Sequence, residues 1–151
     1  MLIISKRLKT AFKLFLILCL SSPLNSLPDI SKAFPDMTDV FSDIDFYNES
    51  KELEKFVGYE NKVLLVFFGY THCPDVCPTT VLDMARVLNA LGDDSNEVLP
   101  IFISVDHKRD DYTKVRNYVD FFDTRIAALT SDKKNIDKLT RFFKTKYELV
   151  N

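Results

Sequence analysis

The sequence predicts an α/β domain with a central sheet of parallel strands flanked by helices. Two observations carry this. Strand-length apolar runs alternate with stretches whose apolar residues recur at helical spacing, in the order strand, helix, strand, helix, strand, helix. The first run, residues 63–68, reads Val-Leu-Leu-Val-Phe-Phe without a polar interruption. Such runs mark strands covered on both faces, as in parallel sheets. A chain of 151 residues fits one domain, and 46% hydrophobic residues against 28% charged ones suit a packed core rather than disorder. Lys and Arg (20) are interleaved with Asp and Glu (22), for a formal net charge of -2. No basic stripe forms, so no nucleic-acid partner is expected.

The elements follow in order. Lys6, Arg7, Lys9 and Lys13 precede the apolar residues 14–20, and Ser21, Ser22, Pro23, Asn25 and Ser26 come next. This pattern makes residues 1–26 a signal peptide or an N-terminal membrane anchor. The apolar stretch is far shorter than the ~20 residues of a spanning helix. Cys19 invites a lipoprotein reading, but Leu18 stands before it where a small residue is wanted. Residues 27–50, rich in Pro, Ser, Asp and Asn, read as a tether leading into the fold, with a short strand near 40–46. Residues 51–151 form the domain. Residues 52–57 are expected as a short helix presenting Leu53, Phe56 and Val57 on one face, with Gly58 and Asn61 turning the chain.

After the first strand, Pro78 suits the first turn of a helix. Its inner face is Val81, Met84, Ala85, Leu88 and Leu91, and Gly92 is placed as its C-cap. Residues 93–97 are a polar loop, and residues 99–105 the second strand. Asp110 or Asp111 caps the next helix, with Tyr112, Val115, Tyr118, Val119 and Phe122 inward. Residues 126–129 are the third strand. Ser131 caps a last helix with Ile136, Leu139, Phe143 and Tyr147 facing the core.

The chemistry-bearing feature is Cys73-Pro74-Asp75-Val76-Cys77-Pro78, at the turn from first strand to first helix. Ligand chemistry in open α/β sheets gathers at the C-terminal ends of strands. Two thiols four positions apart can close as a disulfide or hold a soft metal. A bridge over so short a loop removes little chain entropy, which points to a chemical rather than a structural use. The helix N-terminus beside them favours thiolate character. His72 adjoins the pair and reads as a loop-supporting side chain. Asp106, at the end of the second strand, reads as a turn-stabilising residue more readily than as one orienting a ligand. Arg109 and Asp110 are candidates for shaping the loop.

Residues 67–80, Phe-Phe-Gly-Tyr-Thr-His-Cys-Pro-Asp-Val-Cys-Pro-Thr-Thr, closely resemble the signature of the Sco/SenC family, thioredoxin-like copper proteins of respiratory membranes. Ile103-Ser104-Val105-Asp106 with Arg109-Asp110 resembles the family's second block, and Thr130-Ser131-Asp132 its third. The likeness covers roughly residues 40–151. It implies a thioredoxin-like fold whose C-terminal strands and helix are missing from this chain, so that residues 51–151 would form an incomplete domain. It implies copper, as Cu(I) and, with a nitrogen donor added, Cu(II), held by Cys73 and Cys77. The implied job is delivering copper to, or maintaining the thiols of, the binuclear copper site of cytochrome c oxidase subunit II.

The implied partners are that subunit, a thiol reductant, and the membrane through the N-terminal segment. The implied location is the exported side of the respiratory membrane, in periplasm or intermembrane space. The family's third ligand, a downstream histidine, has no match here. His107, where the family more often has proline, is the substitute donor the sequence offers, although a loop histidine is more commonly just exposed. Two alternatives stay open: a thiol–disulfide reductase using Cys73 and Cys77 as its catalytic pair, and an inactive fragment of a truncated or split gene.

Overall fold

The computed structural model describes residues 38–149. The expected signal or anchor over residues 1–26, with Cys19, lies outside them. Among the described residues no helix is long and apolar enough to cross a membrane. Of the tether expected over 27–50, residues 38–50 are described, and they belong to the fold. They form α1 (Thr38–Ser42) and β1 (Asp45–Tyr47), and bury Phe41, Ile44 and Phe46. The short strand expected near 40–46 is thus only its last part, shifted to 45–47.

The helix expected over 52–57 is instead β2 (Leu53–Lys55), antiparallel to β1 with Phe46 opposite Glu54. Six residues are too few to repay helix nucleation without tertiary support. The hairpin satisfies the backbone at once. Asn48 N–H donates to Glu52 O at 2.9 Å, and Asn48 Oδ1 accepts from Glu52 N at 3.0 Å. Lys51 takes a positive φ of 61° in the turn. Asp45 and Lys55, directly opposite, pair at 2.8 Å.

The frame is a three-stranded parallel sheet in the order β3–β4–β5: β3 (Val63–Gly69), β4 (Val98–Ser104) and β5 (Ala127–Leu129). The register places Gly69 beside Ser104 and Ile103 beside Leu129, so the C-terminal ends of the strands lie together. The parallel α/β prediction is met. The most deeply covered strand is β4, however, not β3. Val63 and Leu65 of β3 remain 66% and 37% exposed, because β3 stands at the sheet edge among the described strands.

Side-chain alternation along β4 divides the core. Ile101 and Ile103 face α1, the hairpin, and α4 (Lys133–Phe142), packing with Phe41, Ile44, Ile136 and Leu139. Phe102 faces the other way, among Val81 and Met84 of α2 (Val76–Leu91) and Val115 and Val119 of α3 (Tyr112–Asp120). Each large apolar side chain so buried is worth on the order of 1.5–3 kcal/mol relative to exposure.

The helix caps follow the sequence in part. Asp111 caps α3 by accepting from Lys114 N at 2.9 Å, and Gly92 ends α2 with φ 55°. Residues 93–97, expected as a loop, belong to a 3-10 turn, Gly92–Glu97. The cap of α4 is Asp132, not Ser131. The Asp132 carboxylate accepts from Asn135 N at 2.8 Å, while Ser131 Oγ turns back to donate to Asp45 O. Past α4, Phe143 packs on Phe68 with ring centroids 5.2 Å apart, and Tyr147 donates to Asp137 at 2.8 Å.

Gly69 closes β3 against the Phe102 ring. A Cβ there would lie 2.8 Å from Cε2 of Phe102 and 3.0 Å from Cε1 of Phe67. Phe102 is fully buried and packs at a tilt against the Tyr118 ring, so it has little room to yield. Gly69→Ala is expected to destabilise the domain by about 1–3 kcal/mol through overpacking. Urea denaturation checks this; an unchanged midpoint would show that the ring moves freely.

Candidate metal centre

Gly69 ends β3, and residues 70–75 carry the chain into α2. Cys73 N–H donates to Tyr70 O at 3.3 Å, which folds this loop into a turn. Cys77 is the second residue of α2, one helical turn before Val81 and two before Met84, on the same buried face. Pro78 follows in the first turn, where a missing N–H costs nothing. Both thiols are free and buried, Cys73 9% and Cys77 3% exposed.

The two sulfurs stand in unequal surroundings. Burial pushes the Cys73 thiol up. Donors outweigh it: the Cys77 thiol, the backbone N–H groups of Asp75 and Cys77, and the Tyr70 hydroxyl bring Cys73 down to about 7. The open N-terminus of α2 supplies the backbone donors. Cys77 is pushed up to about 11, first by burial and then by sharing its proton with Cys73, with only the backbone N–H of Tyr70 acting the other way. Donating to Cys73 also holds the Tyr70 hydroxyl above its usual value. The sequence pointed to thiolate character for the pair; the structure assigns it to Cys73.

A buried carboxylate holds the loop in place. Asp110 accepts from Thr71 N at 2.9 Å, from Thr71 Oγ1 at 2.6 Å and from Ser104 Oγ at 2.6 Å. Its backbone oxygen accepts from Thr130 Oγ1 at 3.0 Å. Asp110 therefore ties together residues at the ends of all three parallel strands. Sequence reasoning had Asp110 as a candidate for shaping the loop, which its bonds to Thr71 bear out, but missed its reach to Ser104 and Thr130. Its position in a strand-end block with Ser104 was the available signal. His72 Nδ1 lies 3.0 Å from Thr71 Oγ1 and 3.6 Å from Asp110 Oδ1, on the outer side of the loop. Asp106 is buried and accepts from Arg109 N and Nε, the turn-stabilising role expected of it.

His107 is half-buried after β4, with Nδ1 lacking a hydrogen-bond partner. Among the described residues no three His, Cys, Asp or Glu side chains gather closely enough to hold a metal ion. The structure thus brings Cys73 and Cys77 together without a third such donor. An open cleft of about 340 Å³ reaches Cys77, bordered by Phe68, Tyr70, Val105, Arg109 and Tyr147.

The chain as a whole is similar to known proteins. The SCO1/SenC family profile matches residues 35–151. The SCO2-like protein of Rickettsia felis is 29% identical over 138 residues, covering 91% of this chain and 67% of that protein. The human mitochondrial SCO1 homolog is 34% identical over 91 residues, covering 59% of this chain and 30% of that protein. The copper-bound structure of Bradyrhizobium japonicum ScoI is 37% identical with a TM-score of 0.60, covering 67% of this chain and 64% of that one. The chain thus spans at most about two thirds of these relatives.

Two outcomes follow for the apo chain. Iodoacetamide labelling of Cys73 is expected to speed up as pH rises through about 7, because the thiolate is the nucleophile, while Cys77 stays largely unmodified up to pH 9. Site-resolved mass spectrometry reads this, and parallel labelling of both would contradict it. Asp110→Ala strands the Thr71 amide and the Ser104 hydroxyl. It should cost about 2–4 kcal/mol by chemical denaturation.

Proposed function

The chain belongs to the SCO1/SenC family, and on that premise we propose that it carries copper for cytochrome c oxidase assembly, with Cys73 and Cys77 as the thiolate ligands. The observation that carries this is the sulfur pair itself, free, buried and of unequal acidity at the N-terminus of α2. Soft sulfur donors at low coordination number suit Cu(I). The 37% identity to a Sco protein solved with copper bound supports the same cargo. The recipient is the binuclear copper site of oxidase subunit II, and a thiol reductant restores the pair after oxidation. Residues 1–26 hold the chain at, or send it across, the membrane, so that it works in periplasm or intermembrane space.

Copper binding must displace the thiol protons. Below about pH 7 both sulfurs are protonated, and two protons leave per copper. Between about 7 and 11 only Cys77 holds one. The apparent Cu(I) affinity should therefore rise about tenfold per pH unit above 7 and about a hundredfold per unit below it.

A second reading uses the same atoms. The unequal thiols suit disulfide exchange, with Cys73 as attacking thiolate and Cys77 closing the internal disulfide as the partner protein's disulfide becomes two thiols. Tight Cu(I) binding with slow exchange favours the carrier; weak binding with fast exchange favours the reductase.

The test is titration of the reduced chain with Cu(I) against a chromophoric chelator. One copper per chain is expected, lost in Cys73→Ser and in Cys77→Ser. His107→Ala separates the ligand sets: unchanged stoichiometry and affinity leave the two sulfurs as the site, and a large loss makes His107 the third donor. A folded chain that takes up no copper would overturn the carrier reading.

A further inference from the structure

The cations of this chain are unevenly placed. Residues 133–146 carry six Lys or Arg against one Asp, in a chain whose net charge is -2. Interleaved charges along the whole chain pointed away from a basic stripe; the fold supplies one locally. All six cations are exposed. Lys133 pairs with Asp137, and Lys138 with Asp43. Lys134, Arg141, Lys144 and Lys146 form no ion pair among the described residues. Lys134, Lys138 and Arg141, spaced i, i+4 and i+7 along α4, share one helix face. Lys144 and Lys146 continue past the helix end, and Lys146 borders the cleft that reaches Cys77. Arg109, bonded to Asp106, borders it too, and Glu148 is the one carboxylate on that border among the described residues.

Helix stability does not account for this placement. A cation in the last turn complements the helix dipole, which covers Arg141. Lys133 and Lys134 stand in the first turn, where the dipole disfavours them, and no acidic residue shares that turn beyond the Asp132 cap. Lys134 with Lys138, and Lys138 with Arg141, are like charges one turn apart, which weakens a helix. We propose that this stripe is a docking surface for an acidic segment of a partner protein, which it guides to the cleft beside Cys77. Charge complementarity names the occupant: four uncompensated cations call for carboxylates. A lipid surface fits less well, because a bilayer lying on the stripe would also lie over the mouth of the cleft. Exposed charges of this kind act mainly on encounter, and salt screens them. The inference rests on the reading of Cys73 and Cys77 as the thiol centre that a partner must reach.

The full chain, reduced and without copper, is titrated into a fluorescently labelled peptide of alternating Glu and Ser, and into its Lys and Ser counterpart. Anisotropy reads binding at about 20 mM and about 0.5 M salt. The Glu peptide should bind about tenfold more tightly at low salt, and the difference should fall below about twofold at high salt. Lys134→Glu with Lys146→Glu should abolish the preference. Lys62→Glu with Arg86→Glu shifts the net charge equally but lies elsewhere, before β3 and on α2, and should keep it. All four side chains are exposed, so both variants should fold. No preference in the wild type, or equal loss in the two variants, overturns the inference. So does stripe-dependent binding to phosphatidylglycerol vesicles or duplex DNA with none to the Glu peptide. Copper uptake without a preference for the Glu peptide sinks this inference alone. Docking of the Glu peptide by a chain that neither binds copper nor closes a disulfide keeps the surface and sinks the reading of the pair.

Discussion

The site depends on one buried carboxylate. Parallel pairing brings the ends of β3, β4 and β5 to one edge, but it does not fix the loop that leaves β3. Asp110 does so by accepting from Thr71 beyond β3 and Ser104 at the end of β4, while its own carbonyl accepts from Thr130 beyond β5. Isolating a carboxylate from water is costly, and three donors compensate it here. The geometry of the Cys73 turn follows from that anchoring. Residue 71 is pinned at its amide and its hydroxyl, and Cys73 is held by the turn back to Tyr70. The start of α2 then brings Cys77 against Cys73.

That placement makes the two sulfurs different. Cys73 lies where the helix opens and collects donors; Cys77 lies deeper and keeps its proton. One thiol is ready to react or bind near neutrality, and the second must be deprotonated by the event itself. This serves a carrier, because releasing a soft ion requires only the return of a proton to Cys77. It equally serves disulfide exchange, in which the deeper thiol resolves the mixed disulfide. The unequal pair suits both of the proposed chemistries.

Much of this was legible in the sequence because it is local. The apolar runs gave the parallel strands, Gly92 and Asp111 marked helix ends, and the cysteine segment sits where a strand hands over to a helix. The β1–β2 hairpin was not legible. Leu53, Glu54 and Lys55 are all exposed, so no burial periodicity distinguishes a three-residue strand from a turn of helix. Ser131 and Asp132 are adjacent residues of equal capping aptitude, and the choice fell to a long-range contact from Ser131 to Asp45. The Asp110 clamp joins residues 39 apart in sequence. Tyr118 reads correctly as an inward aromatic, but where its hydroxyl points depends on packing across two helices. Val63 and Leu65 read as buried, yet strand position within the sheet is a property of the assembled topology.

The most direct test of the central claim is copper K-edge X-ray absorption on the reduced chain loaded with one equivalent of Cu(I). Two sulfur scatterers per copper, at Cu–thiolate distance, are the predicted result. A first shell made only of nitrogen and oxygen would contradict it.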